Sequence, residues 1–588
     1  MRVPTFPPRA PFLALSALLG AGCNDHPVND INATLSAATR VENRLPAKTQ
    51  LDFLFVIDNS ASMCEEQVRL SENFGLFSRF LFDELSGAAD YRIAVVSTDI
   101  GLQGNAERTN PSAGRFVYSP APQVACSTGE GFLPPTGDCP APSELVHPVI
   151  SSARLAALDD ASLPPGETRE ARLRAELERQ FRCRANLVPT QNAVEKGLEA
   201  MRLSLSCRGP NAALFAPCCV NPGAQDAFYN PACVVPDGEP GPEFLRPNAT
   251  LVVVVISDED DCSTPADAPA ETGRLICRDG GAEDGDGDGV PDVYEGVCGA
   301  GAAECYQREC GALAAEGPAR CRAERCDISN YGALMLCQQE RGRLTAPREF
   351  RDFLRSLKAR PLDQVLFAPI VGHRVSTSAG APIVYDQGAP VAPECVSASD
   401  PSFDVDRCCP GGVCVGTQSE LYACSSPEES VRAVSGSRYL ALSDELGAES
   451  ALGCPLGAEG GPGCLSICEP SLAAPLLAIK ERVATLINTY CLDRLPACVV
   501  AGPEGERPCA TEEERAAPSS YALQVSQRCE REGCEARAPL APLPPSAWSL
   551  RVGEGGCAGQ VVLSSLPPAG AEIIVEFLAA AEERVSQE

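Results

Sequence analysis

The chain has 588 residues, of which 44% are hydrophobic and 22% charged, so it is long enough for several domains with packed cores. Its formal net charge is −31 at pH 7. This charge excludes nucleic acid as an expected partner, because a polyanion would be repelled, and it suits the binding of divalent cations.

The cysteine usage indicates an oxidising compartment. There are 31 cysteines but only three histidines, and no two cysteines have the Cys-x-x-Cys spacing that is common in zinc sites. We therefore expect the cysteines to pair as disulfides, which persist outside a reducing cytosol. The sequence does not fix which cysteines pair.

The first residues are typical of an export signal. Residues 1–22 join early arginines to an apolar stretch that is too short to span a bilayer, which predicts a signal peptide. Small residues precede Cys23, as in the lipoprotein processing motif of bacteria, so we expect Cys23 to be lipidated; a plain cleaved secretory peptide is the alternative. Residues 23–49 are predicted to be a tether. The protein is expected at the outer membrane or cell surface, with the lipid as its only membrane contact, or otherwise as a secreted or periplasmic protein.

Residues 50–490 are predicted to form one α/β domain. Apolar runs at 51–57, 91–97 and 251–256 alternate with segments of helical periodicity, which predicts a doubly wound, mostly parallel sheet covered on both faces. A further strand is expected at 438–442. Stretches rich in Pro, Gly or Cys are expected to be large, disulfide-rich inserts, at 120–168, 259–345 and 375–424.

Small oxygen ligands follow the first strand of this domain. Asp58, Ser60 and Ser62 stand on the loop after 51–57, and Asp258 ends the strand 251–256. The carboxyl ends of parallel strands share one edge of a sheet, and Mg²⁺ prefers such oxygen ligands. The alternative is that the three loop residues only cap the helix that follows.

The pattern Asp58-x-Ser60-x-Ser62 with a later strand-end Asp258 resembles the metal-ion-dependent adhesion site of von Willebrand factor A domains. The order of elements over 51–490 is also similar to that fold. The resemblance implies Mg²⁺ or Mn²⁺ on these residues, with a Thr on another loop, for which Thr190 is the candidate. It also implies a protein partner that completes the ion with an acidic side chain. In this fold the two loops are neighbours, so a Cys64–Cys262 disulfide is expected.

A weaker resemblance covers most of the chain. Phe181-Arg-Cys183, the run from Ser257 to Cys262 and the late Ile467-Cys468 resemble envelope lipoproteins of predatory, GC-rich bacteria that carry such domains. The resemblance implies an envelope location and leaves the partner open.

A second motif predicts a calcium loop inside the insert 259–345. Its twelve residues begin at Asp284, have Gly289 at the turn and end at Glu295. Calcium takes six to eight oxygen ligands with a bidentate carboxylate last, and the loop resembles those of EF-hands and thrombospondin type 3 repeats. A solvated acidic turn is the alternative. The expected Ca²⁺ ligands are Asp284, Asp286, Asp288, Val290 through its carbonyl, Asp292 and Glu295.

Residues 491–588 are predicted to be a small, β-rich region that contains cysteines. No motif of a zinc peptidase, serine hydrolase or phosphate-binding loop occurs, so enzymatic activity is not expected. Three functions remain open: an adhesion-type binding protein, a structural envelope protein whose metals only stabilise it, and a secreted metal-assisted hydrolase.

Overall fold

The structure, a computed structural model, describes parts of the predicted α/β domain (50–490) and of the predicted C-terminal region (491–588). The described residues are 39–46, 50–84, 90–100, 113–117, 147–157, 167–187, 195–236, 239–265, 344–372, 384–387, 413–416, 424–425, 432–453, 465–469, 471–492, 494–502, 505–511, 521, 523–529, 538–552, 558–565, 567 and 571–579.

The described residues form twenty strands and eight α-helices. The strands are β1 (Thr39–Pro46), β2 (Gln50–Ile57), β3 (Asp90–Ser97), β4 (Ile150–Ser151), β5 (Cys219–Val220), β6 (Phe228–Tyr229), β7 (Thr250–Ile256), β8 (Val365–Ile370), β9 (Val384–Gln387), β10 (Val413–Gly416), β11 (Cys424–Ser425), β12 (Arg432–Ala433), β13 (Thr489–Leu492), β14 (Val499–Gly502), β15 (Gly505–Pro508), β16 (Leu523–Cys529), β17 (Ala538–Pro542), β18 (Trp548–Val552), β19 (Gly559–Leu563) and β20 (Glu572–Ala579). The helices are α1 (Cys64–Arg79), α2 (Ser152–Ala156), α3 (Arg169–Ala185), α4 (Gly197–Leu205), α5 (Pro347–Ser356), α6 (Pro361–Gln364), α7 (Ser437–Leu446) and α8 (Ala473–Asn488).

A five-stranded mixed sheet forms the centre of the α/β region. Its order is β4-β3-β2-β7-β8, with β3, β2, β7 and β8 parallel and β4 antiparallel at the edge. From β2 the chain first adds β3 and β4 on one side, and it later adds β7 and β8 on the other side. The connections therefore diverge at β2. In such sheets the divergence opens a crevice at the carboxyl ends of the strands.

Helices cover both faces of this sheet, which explains the continuous apolar runs. Phe53 and Phe55 of β2 pack with α1, α3 and α8, and Leu54 and Val56 pack with α4, α5 and α7. All seven residues of β7 are buried. A strand that is buried on both faces does not alternate apolar and polar residues. Continuous apolar runs therefore identify such strands from the sequence.

Charged residues are buried at the amino end of the same sheet. Arg246 donates to the Asp52 carboxylate at 2.9 Å and also contacts Asp90. The Lys358 ammonium group donates to the Arg246 carbonyl oxygen at 2.6 Å and is almost fully buried. This network joins the starts of β2 and β3 to the segment before β7.

Disulfides cross-link the described chain, as expected. Cys207 pairs with Cys219, Cys218 with Cys233, and Cys498 with Cys509. The first two staple the segment between α4 and β7, which carries the short β5–β6 hairpin. The prediction of disulfides is therefore confirmed for these cysteines.

The C-terminal region packs two small antiparallel sheets around one core. Their orders are β1-β20-β16-β17 and β13-β19-β18. Strand β1 lies within the segment 23–49 that was predicted to be a tether, and in the structure Thr39–Pro46 pairs with β20. The alternate residues Val41 and Leu45 explain the strand, because both pack into the core of this region.

The strand predicted at 438–442 is wrong, since these residues belong to α7. Tyr439, Leu442 and Leu446 are buried at helical spacing against the sheet. A short apolar run does not distinguish a strand from a buried helix, so its tertiary contacts decide. Among the described residues, no helix combines the length and the apolar character that a membrane crossing requires.

Candidate functional site

The loops that carry Asp58 and Asp258 leave the central sheet side by side. Ile57 of β2 is in register with Ile256 of β7, so Asp58 and Ser257 begin adjacent loops. The Asp58 amide continues the ladder by donating to the Ile256 carbonyl at 2.9 Å. The carboxyl edge of the sheet therefore carries the loops after β2 and β7 next to each other, with the loop after β3 on the other side of β2.

The Asp58 carboxylate is fully buried and held at both oxygens. The Ser60 amide donates to Oδ1 at 2.7 Å, and the Ser257 hydroxyl donates to Oδ2 at 2.5 Å. Gln67 of α1 fixes the same loop by donating to the Asp58 carbonyl at 3.1 Å, while its side-chain oxygen accepts from the Leu187 amide. The loop after β2 is thus fixed by contacts with β7, α1 and the end of α3.

The two loop serines and Asp258 complete the group. The hydroxyl oxygens of Ser60 and Ser62 lie 3.0 Å apart. A hydrogen bond from Ser62 reaches Asp258, which the sequence had also singled out. Asp258 is 3% exposed, and its Oδ1 has no hydrogen-bond partner within the described structure.

The electrostatics of the site reflect the burial of these carboxyl groups. Burial raises the pKa of Asp58, although hydrogen bonds from Ser257 and Ser60 oppose the rise. Burial, and then the charge of Asp58, raise the pKa of Asp258 well above its ordinary value. Two buried carboxylates that disfavour each other's charge are stabilised when a cation lies between them.

Glu195 is a site residue that the sequence reasoning missed. It is fully buried just before α4, and the Thr98 hydroxyl donates to its Oε2. Burial and the charge of Asp58 raise its pKa well above the ordinary value. The available signal was an acidic residue two positions before the apolar helix α4, but the residues that contact Glu195 are far away in sequence.

The loop after β7 is anchored from behind by α7. The Arg438 side chain donates to the Asp261 carboxylate at 3.0 Å, and its amide donates to Asp260 at 2.9 Å. The same guanidinium donates to the Thr345 carbonyl at 2.7 Å, and the Thr345 amide donates to the Ser263 carbonyl at 2.9 Å. We call this junction, formed by these five residues, the neck, because it joins the two ends of the insert predicted at 259–345.

Some predicted residues fall outside the described part of the chain. Cys262 is disulfide-bonded, but the side chain of Cys64 is not described, so their pairing stays a prediction. The following residues also lie outside: Cys23, Thr190, Asp284, Asp286, Asp288, Val290, Asp292 and Glu295.

The donor atoms at the carboxyl edge are all oxygens. They comprise the carboxylates of Asp58 and Asp258 and the hydroxyls of Ser60 and Ser62, the kinds of ligand that Mg²⁺ takes together with water. The buried, unpartnered Oδ1 of Asp258 fits such an ion. No group of three or more His, Cys, Asp or Glu side chains that could hold a metal ion occurs in the part of the chain described by the structure.

Comparison with known proteins assigns the chain to no family, because no family model and no curated protein matches it.

Proposed function

We propose that this chain is an exported, lipid-anchored envelope protein that binds a protein partner through a divalent ion at the carboxyl edge of its central sheet. The α/β region would act as a von Willebrand factor A-like domain. Asp58, Ser60, Ser62 and Asp258 would hold Mg²⁺ or Mn²⁺, and an acidic side chain of the partner would complete the ion.

One observation carries the proposal. Two loops from adjacent parallel strands bring the Asp58 and Asp258 carboxyl groups close enough for the charge of Asp58 to raise the pKa of Asp258, and both groups are almost completely buried. Helix capping by itself gives no reason for the second carboxylate. A chain that gathers buried acids at a crevice without a nearby cation destabilises its own fold, so a bound ion is the simplest compensation.

Each residue would have a distinct task. Asp58, held at both oxygens by Ser60 and Ser257, would present a fixed negative charge to the ion. Asp258 would supply the second carboxylate from β7, and the two loop hydroxyls would add neutral ligands. The bound ion would supply a positive centre that attracts an oxygen of the partner's carboxylate.

The location and the second metal belong to the same proposal. Disulfides such as Cys207–Cys219 are consistent with an oxidising compartment, which supports export. The loop from Asp284 to Glu295 would bind Ca²⁺ and stabilise the insert beside the adhesion site. Lipidation of Cys23 would tether the chain to the membrane.

A pulldown from envelope extract with the full chain tests the proposed function. We expect proteins to be retained in Mg²⁺ but released by EDTA, and Asp58→Asn to abolish this retention because it removes one ligand charge while keeping the side-chain shape. Glu72→Gln is the matched control, since Glu72 is exposed on α1 and away from the loop. It should retain the same proteins as the wild type.

The thermal stability of the same variants separates the alternatives. An adhesion protein should lose the retained proteins when Asp58 becomes Asn, while its metal-free melting temperature stays the same or rises because one buried acid is removed. A purely structural metal predicts instead that the Mg²⁺-dependent gain in melting temperature disappears while the retained proteins stay the same. That result would refute partner binding through the ion.

A further inference from the structure

We propose that Glu195 is a positioning residue of the ion site, where its free carboxylate oxygen accepts a hydrogen bond from a water molecule on the ion. This inference rests on the proposed function. It adds a third acidic group, from the turn before α4, to the loops after β2 and β7.

Contacts from the loops after β3 and β7, which flank β2, fix Glu195 near the carboxyl end of β2. On one side, the Thr98 hydroxyl after β3 donates to Oε2, and the Thr98 amide donates to the Ile57 carbonyl at 3.1 Å. On the other side, the Cys262 amide after β7 donates to the Glu195 carbonyl at 2.7 Å. Because β2 lies between β3 and β7, these contacts place the carboxyl group beside Asp58.

The turn that carries Glu195 is itself docked on the loop after β7. The Leu198 amide donates to the Asp261 carboxylate, and the Glu199 amide donates to the Ser263 hydroxyl, both at 2.9 Å. These residues cap the start of α4, so they fix the direction in which the preceding residue projects. The position of Glu195 is therefore set by the same loop that carries Asp258.

The second oxygen of Glu195 has no protein partner. Oε1 is buried without a hydrogen bond in the described structure, and the residue is 0% exposed. The ammonium group of the next residue, Lys196, is directed to the Thr264 hydroxyl at 3.2 Å. Asp58 is the largest charged influence on the Glu195 carboxyl group, and it acts by repulsion. A buried, unsatisfied acceptor that lies within the electrostatic influence of another acid calls for a hydrogen-bond donor.

Water on the ion supplies that donor. The described carboxylates do not form a group of three that could ligate one metal directly, so Glu195 is assigned to the outer sphere of the ion. Mg²⁺ keeps several of its waters when bound to protein, and their polarised hydrogens are strong donors to carboxylates. Groups that hold the ligands of a metal typically change its affinity 10–100-fold when they are removed.

Titration of the full chain with Mn²⁺, followed by electron paramagnetic resonance, tests this role. We assign to the site only the part of the Mn²⁺ binding that Asp58→Asn removes. Mn²⁺ bound at the predicted calcium loop is thereby left out of the comparison. We expect Glu195→Gln to weaken this component about tenfold. Glu199→Gln is the matched control: it makes the same charge change on α4, but its carboxylate already accepts from Arg202 at 2.6 and 2.7 Å. It should bind like the wild type.

The stability of the ion-free protein distinguishes positioning from a structural role. For a positioning residue, Glu195→Gln should leave the ion-free melting temperature unchanged or raise it, because a repelled buried acid is removed. Unchanged Mn²⁺ affinity, with or without a lower melting temperature, would overturn the inference while the proposed function stands. A wild-type chain without any Asp58-dependent Mn²⁺ binding would overturn both.

Discussion

Individual buried charges have opposite surroundings at the two ends of the central sheet. At the amino end, Arg246 is paired with Asp52 and neighbours Lys358, so charges of both signs are present. At the carboxyl end, burial raises the pKa of Asp58, Asp258 and Glu195, and the charge of Asp58 raises the pKa of the other two further. The first arrangement is balanced within the protein, whereas the second is the one that the proposed cation would balance.

Lys358 gives a prediction at the amino end. Burial lowers its pKa from 10.5 to about 8, so between these values the unfolded chain binds the proton more tightly than the folded chain. The free energy of unfolding should therefore gain a contribution as the pH rises from about 8 to about 10, on the order of 3 kcal/mol at about 1.4 kcal/mol per pKa unit. We expect Lys358→Met to remove this contribution in chemical denaturation across that range.

Lys480→Met on α8 is the control for the pH series. Lys480 is only partly buried, so the same substitution there should retain the wild-type rise. Identical pH profiles for wild type and Lys358→Met would contradict the assignment of the effect to Lys358.

The contact between α4 and α7 gives a prediction at the scale of elements. A Cβ on Gly197 would lie 2.3 Å from the Tyr439 hydroxyl and 3.1 Å from two carbons of its ring. Because Tyr439 is fully buried and cannot swing away, we expect Gly197→Ala to lower the free energy of unfolding by about 1–3 kcal/mol. Tyr439→Phe removes the nearest atom and should recover part of this loss in a double-mutant cycle.

Gly75 of α1 provides a helical control for the same substitution. Its Cβ would meet nothing closer than 3.6 Å, so Gly75→Ala should be neutral or stabilise by up to about 1 kcal/mol. Additive effects of Gly197→Ala and Tyr439→Phe would show that the two side chains do not clash.

Elements differed in how well the sequence predicted them. The strands β2, β3 and β7 were predicted because helices on both faces demand unbroken apolar runs. Strand β1 was missed because only one face is buried and its partner β20 is remote in sequence. The loops with Asp58 and Asp258 were predicted because both directly follow such strands, whereas Glu195 depends on Thr98 and Cys262, which no local pattern connects to it.

At the scale of the whole molecule, β1 ties the segment before the α/β region to the C-terminal sheets. All eight of its residues pair with β20, which lies between β1 and β16. Deletion of 39–46 should leave β20 as an edge strand with unpaired backbone groups. We expect faster hydrogen exchange for β20 amides and unchanged exchange for the buried strand β7.

A deletion of equal length at 27–34 is the control for this experiment. It shortens the chain upstream but keeps β1, so β20 should remain protected. Unaltered exchange of β20 without β1 would mean that the remaining strands alone stabilise this sheet.

The neck has an evolutionary consequence. Ser263 and Thr345 are joined by a backbone hydrogen bond, and Arg438 holds Asp261 and Thr345 together, so these two described ends of the predicted insert lie at a single place. The entropic free-energy cost of closing a loop grows only logarithmically with its length, by about 0.6 kcal/mol for each doubling. Descendant sequences can therefore lengthen, shorten or exchange what lies between these two residues while the framework that presents Asp258 is inherited unchanged.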